Sequence, residues 1–81
     1  MYYTYVIKNP KGILYKGSTD NVPKRLKQHN GETLFNSFTK KRGPWELVHL
    51  EEFKTRREAR RREIFLKSGK GREFLKNKLK E

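Results

Sequence analysis

Cysteine is absent, which excludes disulfides and thiolate zinc sites as props for a chain of only 81 residues. Packing alone has to hold the fold. Acids are scarce too: nine Asp and Glu stand against 21 Lys and Arg, a formal charge of +12. Such a field attracts polyanions, phosphate backbones first among them. No run of eighteen apolar residues occurs, and the opening MYYTYVIKNP lacks a basic region followed by an apolar stretch. A membrane span and a secretory signal are therefore not expected, and a cytoplasmic protein is. Hydrophobic residues make up 32% of the chain and charged ones 37%, a balance that leans toward disorder. Five Phe, four Tyr and one Trp are nevertheless too many for a solvated tail. One compact domain over residues 1–81 is expected, because so little apolar surface cannot close a second core.

The order of elements is readable from local signals. Tyr2 to Lys8 divides into Tyr3, Tyr5, Ile7 on one face and Tyr2, Thr4, Val6 on the other, aromatic and β-branched residues suited to a strand. Asn9-Pro10-Lys11-Gly12 supplies a reversal, and Ile13 to Gly17 runs back as the second strand of a hairpin. All four tyrosines fall in this stretch, where an ordinary packing role is the first explanation to weigh. Ser18-Thr19-Asp20-Asn21 offers N-cap side chains for a helix from about Val22 to His29, stopped at Asn30-Gly31. Residues 31–44 have no period and end in Gly-Pro, the mark of a long loop. Trp45 to Phe53 reads as a third strand, with Trp45, Leu47 and His49 opposite Glu46, Val48 and Leu50. Thr55-Arg56-Arg57-Glu58 matches a capping box opening a second helix that reaches about Lys67. A short third helix follows in KGREFLKNKLK, with Phe74, Leu75 and Leu79 at helical spacing. The expected fold class is α+β: a small three-stranded antiparallel sheet flanked by about three helices, in the order β-β-α-β-α-α.

Three constellations carry chemical meaning. Val22, Arg25, Leu26 and His29 share one helix face, so Arg25 and His29 lie at or beside the side that meets the sheet. Either their stems snorkel outward, or the pair forms a donor set suited to a phosphate. On the second helix Glu63 lies on the apolar stripe of Ala59 and Leu66, where a carboxylate needs a partner. That partner is one of Arg56, Arg60, Arg62 or Lys67 in an ion pair, or a hard divalent cation. Finally, Arg56, Arg57, Arg60, Arg61, Lys70 and Arg72 make the carboxy-terminal half strongly basic, with Lys40, Lys41 and Arg42 of the long loop adding to it. Their excess over acids points to sequence-independent contact with backbone phosphates.

Tyrosines on a hairpin, Arg and His a turn apart on the next helix, and a lone Glu on a later helix form an order that resembles the GIY-YIG nuclease superfamily. Its small stand-alone members, similar to the nuclease domain of the excision-repair subunit UvrC, match best. The resemblance runs from Tyr2 to about Leu79. Its two naming motifs fall at Tyr3-Thr4-Tyr5 and Tyr15-Lys16-Gly17, where Tyr5, Tyr15 and Gly17 are retained and Tyr3, Thr4 and Lys16 depart from the pattern. The resemblance implies a divalent-metal-dependent endonuclease that hydrolyses DNA phosphodiesters, using Mg²⁺ or Mn²⁺. Tyr5 and Tyr15 would frame the phosphate and act on the attacking water, Arg25 would stabilise phosphoryl charge, and His29 would occupy a His-or-Tyr position. Glu63 would hold the metal, Gly17 would allow close backbone approach, and Asn77 would stand for a carboxy-terminal Asn. Ser18 stands where some relatives have Lys.

The chemistry implied is coherent. A tyrosine with an ordinary pKa of about 10 is a weak base, so Arg25, His29 and the surrounding field are expected to help it. The two tyrosines share a face only if the hairpin register has the right parity, for instance Lys8 paired with Gly12 across a three-residue loop. A tight turn at Pro10-Lys11 would send them to opposite faces. The expected partner is DNA, in DNA repair or processing, read through its shape or with a protein partner supplying specificity. The competing reading is a non-catalytic nucleic-acid-binding module in which Tyr2, Tyr3 and Phe38 stack on bases.

Overall fold

The computed structural model describes residues 1–30 and 43–79. Strands β1 (Tyr2–Lys8), β2 (Leu14–Thr19) and β3 (Glu46–Phe53) and helices α1 (Val22–His29), α2 (Arg56–Lys67) and α3 (Gly69–Leu79) follow in the order β1-β2-α1-β3-α2-α3. The sheet is antiparallel with β1 central, in the order β2-β1-β3. This is the expected α+β architecture. Residues Lys40, Lys41, Arg42 and Phe38, to which nucleic-acid contact was assigned, lie outside the described residues, as does Gly31 of the helix stop.

β1 is buried on both faces because helices cover both. On the first face Tyr5 and Ile7 pack with Trp45, and Tyr15, Leu26 and Leu47 close around them. Leu26 brings α1 onto this side. On the second face Val6 packs with Leu66 of α2 and Leu75 of α3, with Leu14, Val48 and Phe74 beside them. Thr4, also on the second face and fully buried, donates its hydroxyl to the Ala59 carbonyl at 2.6 Å, so the polar residue in β1 ties the sheet to α2.

Helix ends follow the sequence. Asn21 caps α1, its Oδ1 accepting the Lys24 N–H at 3.1 Å, and Pro23 sits in the first turn where it withholds no needed donor. At the other end Asn30 accepts the Trp45 N–H at 2.5 Å and donates to the Trp45 carbonyl at 3.2 Å. One side-chain amide thus pins the start of β3 to the end of α1. Thr55 caps α2 by accepting the Glu58 N–H, and its hydroxyl donates to the Glu58 carboxylate at 3.0 Å.

Two expectations need correction. The hairpin does not close Lys8 on Gly12; Lys8 pairs with Leu14, Tyr5 with Gly17 and Ile7 with Tyr15. The loop is longer because the buried Asn9 organises it from within: its Oδ1 accepts the N–H groups of Lys11 and Ile13, and Gly12 adopts a positive φ of 84°. Parity is unchanged, so Tyr5 and Tyr15 do share a face. On β3 the alternation from Trp45 to Leu50 is broken by a bulge opposite the Val6–Ile7 step, which pairs His49 with Val6 but Leu47 with Ile7. Leu47 therefore joins the first-face core while Val48 joins the second.

Candidate active site

The site forms where β2 passes between α1 on one face of the sheet and α2 on the other. From the first face come Tyr5, Tyr15 and, on the last turn of α1, His29. From the second come Ser18 and Glu63.

His29 is fully buried, and its Nε2 lies 2.7 Å from the Tyr5 hydroxyl. Burial, and after it the charge of Arg25, pushes its pKa down to about 4, so the ring is neutral at pH 7. Tyr5 is shifted the opposite way. Burial raises its pKa well above the ordinary value, with Arg25 opposing this by charge and by a hydrogen bond, and nearby Tyr15 and Glu63 adding to the rise. Arg25 can only donate, so the phenol oxygen accepts from it, and the direction of the Tyr5–His29 bond is set by the imidazole tautomer. Arg25, Tyr5 and His29 are thus linked in one hydrogen-bonded row. A neutral ring adds no positive charge beside Tyr5, so among the charges acting on the phenol it is Arg25 that favours the phenolate.

Tyr15, half-buried, stacks at a tilt on the same imidazole, the ring centroids 4.8 Å apart, and meets Trp45 edge-on at 6.4 Å. Gly17 explains how Tyr5 reaches across β2. A Cβ at Gly17 would collide with the Tyr5 hydroxyl and ring edge, so only glycine lets the phenol lie flat over its paired residue. The required absence is of a side chain, since Gly17 has no positive φ.

Glu63 is 8% exposed and both carboxylate oxygens are engaged. Oε1 accepts the Ser18 hydroxyl at 2.8 Å and Oε2 accepts the Lys67 ammonium at 2.7 Å. Of the four cations weighed as partners, Lys67 is the one that pairs; Arg62 instead reaches Glu51 at 2.8 Å and lies over the rings of Phe65 and Phe74. Ser18 is thus a tether for the carboxylate. That role left no mark in the sequence beyond a polar residue next to Gly17.

Among the described residues no cluster of three or more His, Asp or Glu side chains is gathered as a metal cage. A single carboxylate suits a hard cation that keeps most of its waters and takes further oxygens from a phosphate. Lys67 is 53% exposed at its side chain, so it is able to leave Oε2 without breaking the core. The chemistry of this donor therefore fits a hard divalent cation.

An open cleft of about 730 Å³ adjoins these residues, lined by Ser18, Arg25, Arg56, Arg57, Arg60 and Arg61. Arg56 also stacks over Tyr2, 5.1 Å from the ring centroid. Five guanidinium groups beside one serine present the fork of N–H donors that suits phosphate oxygens. Lys70 and Arg72 are exposed at the start of α3. Asn77 is exposed on the side of α3 turned away from the buried Leu75, and no described contact joins it to the tyrosines. No helix among the described residues is long and apolar enough to cross a membrane.

Comparison with known proteins gives a consistent picture. The family model described as the GIY-YIG catalytic domain matches residues 1–79. The UPF0213 protein CPE1444 of Clostridium perfringens is 42% identical over 67 residues, covering 83% of this chain and 71% of its own length. A UPF0213 protein of Bacillus licheniformis is 39% identical over 83 residues, covering 99% and 84%. The solution NMR structure of the UPF0213 protein BH0048 from Bacillus halodurans superposes with a TM-score of 0.54 at 33% identity, over 93% of this chain and 82% of that one.

Proposed function

The chain belongs to the GIY-YIG catalytic domain family, and from that premise we propose that it is a divalent-metal-dependent endonuclease hydrolysing DNA phosphodiester bonds. Its place is in DNA repair or processing in the cytoplasm, with selection by DNA shape. The observation that carries the reading is the buried Tyr5–His29 hydrogen bond, tied to Arg25 on the wall of an arginine-lined cleft. In a binding module the same pair would serve as packing alone, whereas a nuclease uses it to set Arg25 at the scissile phosphate.

Each residue has a distinct task. The arginines of the cleft bind the strand through its phosphates. Arg25 presents its fork to the oxygens of the scissile phosphate and stabilises the charge that builds there, the contribution that mutagenesis in other enzymes puts at several kcal/mol. Tyr5, held by His29 from below, fixes Arg25 from above. Tyr15 is the less buried tyrosine and positions the attacking water. His29 stays neutral and keeps its hydrogen bond to Tyr5. Glu63, steadied by Ser18, would hold the divalent cation, which when bound supplies Lewis-acid stabilisation of the leaving oxygen. Water leaves little room for error, since a catalytic group displaced by 1 Å loses about two orders of magnitude in rate.

One observation favours the competing reading of a non-catalytic nucleic-acid-binding module: both oxygens of Glu63 already have partners within the chain. A single experiment separates the two. Labelled single-stranded, duplex, nicked and branched DNA are incubated with Mg²⁺, Mn²⁺ or chelator, with the Glu63→Ala protein alongside. Cleavage that requires both metal and Glu63, with DNA affinity unchanged or raised in the variant, is expected. Salt-sensitive binding with no cleavage in any metal would leave the binding module as the answer.

A further inference from the structure

A second concentration of charge, apart from the arginine cleft, lies on the other side of Glu63 where β2 meets the junction of α2 and α3. Lys16 stands opposite Val6 in the β1–β2 register and so projects from the second face. Val6 packs against Leu66 and Leu75. Lys67 follows Leu66 directly, and Arg72 lies one turn before Leu75 on the same side of α3. Lys67 holds Glu63, whose other oxygen takes the hydroxyl of Ser18 two residues along β2 from Lys16, so cations of β2, α2 and the start of α3 gather about this end of the strand. Glu63 neutralises one of them through Lys67.

The remaining crowding is felt at Lys16, which is half-buried. Its pKa is lowered, by partial burial first and then by the charges of Arg72 and Lys67. Like charges held together in this way weaken the fold rather than support it. An anion set among them reverses the sign of the interaction. Lys16 is two residues from Ser18 along β2, about 7 Å of strand, and Ser18 lines the arginine cleft. That step is comparable with the separation of successive phosphates on one nucleic-acid strand.

We propose that Lys16, Lys67 and Arg72 form a second oxyanion subsite, which holds a phosphate of the substrate strand next to the one that is cleaved. The strand then runs along β2, from the arginine cleft, across Glu63, to Lys16. The ligand rests on the nuclease reading above; the clustering of the three cations does not. The middle residue of the Tyr15-Lys16-Gly17 motif acquires a binding role through this subsite, and the charge there is matched by a phosphate diester or, more fully, by a terminal monoester.

The test is DNA binding in chelator, followed by fluorescence anisotropy over a series of salt concentrations. Wild type, Lys16→Met, Arg72→Met and the distant hairpin variant Lys11→Met are compared on nicked duplexes bearing a 5′-phosphate or a 5′-hydroxyl at the nick. Methionine keeps the apolar stem of each side chain, and thermal melts of the variants check that the fold is kept. Lys16→Met and Arg72→Met are each expected to weaken binding roughly 5- to 10-fold and to lower the slope of log K against log salt by about one. Lys11→Met is expected to match wild type. Loss confined to the phosphorylated nick identifies a terminal monoester as the ligand, and equal loss on both identifies a backbone diester; either outcome supports the subsite. Wild-type affinity and slope in both variants, or an equal loss in Lys11→Met, would overturn it while leaving the nuclease reading intact. Failure of the wild-type protein to bind any of these DNAs would overturn both.

Discussion

The Tyr5 hydroxyl and the His29 Nε2 atom lie 2.7 Å apart in a region closed to solvent, and their proton affinities are displaced in opposite directions. Burial disfavours the charged form of each, phenolate in one case and imidazolium in the other. The pair is therefore locked as a neutral hydrogen bond over the whole physiological range.

That lock makes stability depend on acid. His29 binds a proton with a pKa near 6.5 when unfolded and about 4 when folded, so the unfolded chain binds more protons between those values. Stability is then complete above about pH 6.5 and declines as pH falls toward 4, by on the order of 3 kcal/mol. Urea unfolding of wild type at pH 7 and pH 4.5 is expected to show the decline, and His29→Gln to flatten it. ¹⁵N NMR of the imidazole is expected to report a neutral ring at pH 7 and, through its tautomer, the direction of the bond to Tyr5.

Gly17→Ala is expected to cost about 1–3 kcal/mol, because the new methyl group meets the Tyr5 ring and forces a shift in a packed core. The collision is partly with the hydroxyl, so Tyr5→Phe in the same chain is expected to recover part of that cost. A double-mutant cycle read by urea unfolding measures the coupling. Additive losses would mean that the two side chains do not compete for the same space.

Arg25→Lys keeps the charge but loses the fork. Cleavage is expected to fall by two to three orders of magnitude, nearly as far as in Arg25→Ala, since a point charge cannot hold Tyr5 and two phosphoryl oxygens at once. Single-turnover rates at saturating DNA provide the measurement.

Thr4→Val is expected to lower stability by about 1–2 kcal/mol, through loss of the buried hydrogen bond to Ala59, without altering cleavage rates at temperatures where the protein is folded. Thermal melts and nuclease assays on the same preparation separate the two effects.

Much of this arrangement was legible before any coordinates. Caps at Asn21 and Thr55, the residues of β1 and the apolar spacing on each helix specify the order of elements, because those signals act within a few residues. Whether Tyr5 and Tyr15 share a face turned on the parity of the hairpin register, which the sequence left open between two loop lengths and the structure resolves in favour of a shared face. The register itself was not legible, since it depends on how the Asn9 side chain folds the loop over itself, and Pro-Lys-Gly permits several loop lengths. The bulge in β3 was equally silent: Val48 and His49 are both ordinary strand residues, and only the helices packed beneath them decide that the two share a side. For Glu63 the sequence offered four side-chain cations or a divalent ion as partners, and among the side chains tertiary packing, which carries Arg62 to Glu51, left Lys67. The electrostatic state of His29 depends on burial from every side and has no local signature at all.

Ser18 and Glu63 touch across 45 residues of sequence, whereas Tyr5, Tyr15, Gly17, Arg25 and His29 all fall within the first 30. During synthesis the hairpin and α1 emerge first and are bound together by short-range contacts, which form early. Such a nascent chain already carries the tyrosines but has no carboxylate to set beside them. On the nuclease reading, grip and cut therefore arrive together when α2 closes on the opposite side of the sheet, because that one helix carries both Glu63 and four of the five arginines of the cleft.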